Sequence, residues 1–171
     1  MSGIRTVFLY CWISSLVACG TANSSLDALT TPELNSTQQR AMQRLNLATA
    51  YYEQGQNEVA QQEVRAALKI DPKSAQAYSL LGLIHQRDNA PQLAQQSFEQ
   101  AVVLASAPPV RGAELAAIEH NYAWFLCQQH RIAEARKYFE RALAQASYRE
   151  TDKTLKAIAF CQTRTEAVSQ P

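Results

Sequence analysis

The sequence predicts an all-α fold, a right-handed superhelical solenoid of paired antiparallel helices, and three observations carry that expectation. One pattern of small and large residues returns three times between about Ala41 and Leu143. The copies keep a spacing of about 34 residues, interrupted by an insertion around Ala107 to Leu115. Glycine is scarce, five in 171 residues, which is too few for a turn-dense β architecture.

The first copy reads Leu47-Ala48, Tyr51, Gly55, Ala60, Val64, Ala67 and Pro72; the second reads Tyr78, Leu81-Gly82, His85, Ala94, Phe98 and Ala101. The third reads Tyr122-Ala123, Leu126, Ala135, Phe139 and Ala142. Small residues in the first helix of each pair (Ala48, Gly82, Ala123) let the second helix come close. Alanines of the second helix (Ala60, Ala94, Ala135) lie against them. The large residue four positions on (Val64, Phe98, Phe139) shares that face one turn later and fills the gap between repeats. This arrangement resembles the tetratricopeptide repeat, a helical hairpin that stacks on its own copies.

Taken in order, residues 1–18 resemble a bacterial export signal, with Arg5 followed by the apolar run Thr6 to Val17, too short to span a membrane as a mature helix. The run ends in Leu16-Val17-Ala18-Cys19, which resembles a lipobox, with Cys19 as the lipidated residue. An ordinary signal peptide cut after Ala18 or Ala22 is the alternative. Gly20 after the cysteine, by resemblance to bacterial lipoproteins, implies the outer membrane, on its periplasmic face. Residues 19–36 read as a flexible tether.

A repeat domain over 37–166 follows, with repeats at about 41–74, 75–108 and 116–149 and a capping helix at 151–166. Helices are expected near 36–54, 57–70, 74–87, 91–105, 112–129, 132–146 and 151–166. The first pair turns at Gly55, Asp71-Pro72 ends its second helix, and Pro91 suits a first helical turn. The capping helix is expected to show a polar outer face through Lys153, Lys156, Gln162 and Arg164, and 167–171 to fray.

Cys127 and Cys161 lie 34 residues apart, one repeat length, on the first helices of adjacent units. Such helices bring facing cysteines within disulfide range, and an exported chain sits where the bond persists; two buried free thiols are the alternative. The inner groove of the stacked repeats is expected to be lined by Leu45, Thr49, Tyr52, Leu83, Gln86, His120 and Trp124, an apolar and aromatic surface suited to a partner's extended or helical segment.

Sixteen basic against fifteen acidic residues, with no basic run, give no nucleic-acid footprint. His85 stands at the tyrosine position of its repeat, His130 in a turn, and no cysteine or histidine pair has zinc-finger spacing. No nucleophile motif or phosphate loop appears, so neither catalysis, a metal, a cofactor nor a small-molecule substrate is expected.

The block His120-Asn121-Tyr122-Ala123-Trp124-Phe125-Leu126-Cys127, with Ala159-Phe160-Cys161 one repeat later, resembles the type IV pilus biogenesis and stability lipoproteins called PilF or PilW. Ala123 stands where that family has glycine, and the family carries more repeats than are read here. The resemblance implies a pilotin, an outer-membrane lipoprotein that helps the pilus secretin ring localise, multimerise or stay stable. Its partners would be the secretin subunit and, through Cys19, membrane lipid. A repeat lipoprotein serving another envelope machine, for β-barrel assembly or cell-wall synthesis, is the alternative.

Overall fold

The computed structural model describes residues 36–108, 110 and 112–168. The signal segment, Cys19 and the tether up to residue 35 lie outside the described residues. Seven helices occur, and no strand among the described residues: α1 (Ser36–Glu53), α2 (Asn57–Ile70), α3 (Ala75–Arg87), α4 (Pro91–Ala105), α5 (Gly112–Gln128), α6 (Ile132–Leu143) and α7 (Thr151–Val168).

Helices α1 and α2, α3 and α4, and α5 and α6 pack as hairpins, and the turn of each is the same device. Gly55, Asn89 and His130 take left-handed φ angles of 77°, 56° and 60°. The amide of the next residue then reaches back to the carbonyl of Tyr51, His85 or Leu126, at 2.9 Å in each case. This closure stops a helix while satisfying its last carbonyls. Glycine takes the left-handed region without steric cost, whereas asparagine and histidine are held there by the turn around them. Ser74 caps α3 by accepting from the Ala77 amide at 3.3 Å, and Pro91 occupies the first turn of α4.

Ala48, Ala60, Ala94, Ala123 and Ala135 are fully buried, as are Val64, Phe98 and Phe139. Gly82 shows why the contact position must be small: a Cβ there would lie 2.8 Å from the Phe98 ring. The repeat position held by Leu47, Leu81 and Tyr122 runs from 41% exposed through partly buried to 3% exposed. The described chain gives each later copy a preceding hairpin to cover it.

The hairpins stack so that α1 touches α3, α3 touches α5 and α5 touches α7, while α2, α4 and α6 do not touch one another. Neighbours on a curve are closer on its inside, so the odd helices form the concave layer. One core, around Phe98, Tyr122, Phe125 and Phe139, joins α3 to α7; another, around Leu45, Val64, Leu80 and Ile84, joins α1 to α3.

Two boundaries differ from expectation. Helix α6 ends at Leu143 rather than Ala146, because the chain turns away to bury Tyr148 against Ala116 and Ala142. Helix α7 runs to Val168, into the stretch expected to fray, and residues 169–171 lie outside the described ones. No described helix is long and apolar enough to cross a membrane.

Candidate functional site

The concave layer carries three connected hollows. The first, about 220 Å³, is lined by Thr49, Ser79, Leu80, Leu83, Ile118 and Asn121 among others. The second, about 240 Å³, is lined by Tyr52, Leu83, Gln86, Arg87, Trp124 and Gln128. The third, about 380 Å³, lies between α5 and α7 and is lined by His120, Asn121, Trp124, Lys153, Lys156, Ala157 and Phe160. Leu83, Asn121 and Trp124 are shared between hollows, which makes them one groove.

Of the residues expected to line it, Thr49, Tyr52, Leu83, Gln86 and Trp124 do so, each half-buried. Leu45 does not. It stands at the repeat position shared by Ser79, His120 and Thr154, and all four are buried. That position packs between consecutive odd helices, and Leu45 belongs to the core with Ala48, Val64 and Leu80. His120 is 5% exposed, so it borders the third hollow mainly as wall.

The odd helices are held side by side through matched positions. Cys127 and Cys161 are joined in a disulfide, with their Cα atoms 5.8 Å apart. Seven residues earlier on the same pair of helices, His120 Nδ1 lies 2.8 Å from Thr154 Oγ1, and the Tyr148 hydroxyl lies 2.9 Å from that same oxygen. Gln86 donates to Gln128 at 2.8 Å, and Asn121 donates to Ser79 at 3.2 Å. Arg87 donates to the Tyr52 carbonyl and places its guanidinium 3.6 Å from the Tyr52 ring centre, a cation–π contact. These cross-links preorganise the groove, which lowers the ordering cost of binding.

Burial sets the charge state of the site. It holds His120 down, to about 4, and nearby Lys153 adds to that, so the ring is neutral at neutral pH. Burial also lowers His85. Burial pushes the Glu119 carboxyl up, and the Arg141 guanidinium, 2.5 Å away, opposes that shift. The unfolded chain protonates His120 near 6.5 and the folded chain only near 4, so the stability held by the neutral ring is complete above that window and is lost as pH falls through it. His85 acts in the same direction; Glu119 acts oppositely above its ordinary value. Comparison with His120→Gln isolates the histidine: the stability advantage of the parent should shrink by about 3 kcal/mol from neutral pH to about pH 4. Urea denaturation at each pH checks this, and a constant difference would remove His120 from the explanation.

Several groove residues were not anticipated as such. Lys153 and Lys156, expected on an outer polar face of α7, are exposed and also line the third hollow. Gln162 is exposed, but Leu155 and Phe160 on the same helix are 54% and 46% exposed, so α7 is not polar-faced as expected; the Arg164 side chain lies outside the described residues. Phe160 packs against Trp124 with ring centres 5.4 Å apart. Thr154 could have been found from its place one repeat length after His120. No group of three or more metal-ligating side chains occurs among the described residues.

The TPR repeat family matches residues 48–89. The type IV pilus assembly protein PilF of Pseudomonas aeruginosa is 28% identical over 116 residues, 68% of this chain and 43% of the relative. A solved structure of Pseudomonas aeruginosa PilF superposes with a TM-score of 0.69 at 25% identity, covering 77% of this chain and 56% of that one. PilW, a widely conserved type IV pilus biogenesis factor, gives 0.64 at 30% identity over 74% and 55%. The type III secretion translocator chaperone SycD of Yersinia enterocolitica gives 0.58 at 20% identity over 73% and 85%, a likeness of fold alone. The chain spans about half the length of the pilus relatives it matches. It is a tetratricopeptide-repeat solenoid, homologous at modest identity to the type IV pilus biogenesis proteins PilF and PilW.

Proposed function

We propose that the protein is a pilotin-like adaptor, anchored through lipid on Cys19 to the periplasmic face of the outer membrane. Its groove holds a periplasmic segment of the type IV pilus secretin subunit and so assists the ring's localisation, multimerisation or stability. The observation that supports this most is the position of the block His120 to Cys127: its His120, Asn121 and Trp124 line the groove in a chain homologous to pilus biogenesis factors. The groove sets Tyr52, Leu83 and Trp124 among polar side chains, with Tyr52 and Trp124 as rigid anchors of large area. The similar repeat proteins are interaction modules, and we assign this chain no catalytic step, cofactor, nucleic acid or small-molecule substrate. A multiply acylated cysteine holds such an adaptor firmly at a bilayer, which one chain alone does not.

The test is the amount of heat-stable secretin multimer in outer membranes of a strain lacking the gene, complemented with the parent or with Cys19→Ala. Multimers should disappear on deletion and return only with the lipidated form. Unchanged multimers and pili would reassign the adaptor to another envelope machine, such as β-barrel assembly or cell-wall synthesis.

A further inference from the structure

The geometry points to the cleft between α5 and α7 as a subsite for an acidic polypeptide segment, one that carries a carboxylate beside a large apolar or aromatic side chain. The inference rests on the groove reading above and names the chemistry of its occupant.

Four features of the cleft support it. Trp124, Ala157 and Phe160 supply an apolar floor, and Phe160 is still 46% exposed although it packs on Trp124. The volume, about 380 Å³, suits one large side chain with its flanking backbone. Lys153, Lys156, Ala157 and Phe160 recur at helical spacing along one face of α7, so both lysines border that floor. No acidic residue lines the cleft, and His120 in its wall is neutral. Glu150 pairs with Lys153 at 2.8 Å with both side chains more than half exposed, a bond of little strength that an incoming carboxylate can replace. Lys156 forms no ion pair among the described residues. An apolar pocket with an excess of positive charge at its rim selects a partner of opposite charge, mostly through steering and register.

The cleft also depends on the cross-link. Its walls are two helices joined by the Cys127–Cys161 bond and the His120–Thr154 contact. Reduction therefore removes one of the two ties that hold the floor under the lysines.

The experiment selects from a phage-displayed library of random short peptides on the oxidised full chain. The expected result is enrichment of Asp or Glu next to Phe, Trp, Tyr or Leu. The selected peptides should bind about tenfold more weakly to Lys153→Glu/Lys156→Glu, and not detectably to Trp124→Ala or to the reduced protein. Both lysines are exposed, so that variant should keep the parent's melting temperature. Enrichment without acidic residues, no enrichment, or binding unaffected by the lysine reversal would each overturn the proposal. So would peptide-independent dimerisation abolished by Trp124→Ala, which would give the cleft to a second copy of the chain. Secretin multimers in cells separate the two readings. If they are lost with Trp124→Ala but kept with the lysine variant, the adaptor role stands and the acidic subsite fails. If they are kept with both, the adaptor role fails as well.

Discussion

Reducing the Cys127–Cys161 bond, or replacing Cys127 with serine, should cost about 3–4 kcal/mol of stability, the chain-entropy value for a loop of this length. Helix α7 makes the expectation sharp. Among the described residues it packs on α5 and α6 alone, whereas α3 and α5 each have neighbours on both sides. Without the bond, α7 keeps Thr154 against His120 and Tyr148, and Ala157 in the core, but loses the tie nearest its C-terminal half. Urea denaturation with and without reductant measures the loss. Hydrogen exchange should place it first in α7, with α1 to α4 protected as before. Equal exchange throughout, or no change in midpoint, would mean that packing alone holds the last helix.

Truncating Phe98 to alanine should cost about 3–5 kcal/mol. Its ring is fully buried, stands 5.8 Å from the Tyr122 ring and 5.4 Å from that of Phe125, and rests on Gly82. It thus joins the second hairpin internally and to the third. The same contact can be tested from the other side. Gly82→Ala improves helix propensity by up to about 1 kcal/mol, but its methyl would meet a ring that has no room to move, and overpacking of that kind costs about 1–3 kcal/mol. Net destabilisation by Gly82→Ala, relieved when Phe98 is Leu, is the expected pattern in denaturant midpoints. A neutral Gly82→Ala would show that the second hairpin has slack.

What could be read from residues alone was whatever the repeat period determines. Ala60, Ala94 and Ala135, the large residues after them, and the turn at Gly55 follow from spacing, because each copy solves one packing problem in the same way. The cysteine pair was legible for the same reason, as one position repeated on neighbouring helices. Leu45 was misplaced because a single helix shows only that a residue lies off its hairpin face. Whether that residue meets solvent or the next odd helix depends on lateral stacking, and here it meets Leu80 and Val64 in the core. Lys153 and Lys156 are exposed as expected, but that they also border a hollow was not legible, because the rotation of α7 is set by tertiary ties, at Thr154 and Cys161, that no local pattern encodes. Glu119, fully buried beside Arg141, is likewise invisible to periodicity: its partner comes from α6. Tyr148 shortened α6 by a contact made across the third repeat.

The proposed adaptor role makes the concave layer of odd helices the surface that grips a pilus partner. The most direct measurement places a photo-cross-linking amino acid at Leu83 or Trp124 in the groove, and separately at Val103, which is 66% exposed on α4, then irradiates intact cells. Adducts with the secretin subunit from Leu83 and Trp124, and none from Val103, are expected. Secretin adducts from Val103 alone, or groove adducts only with other envelope proteins, would contradict the claim.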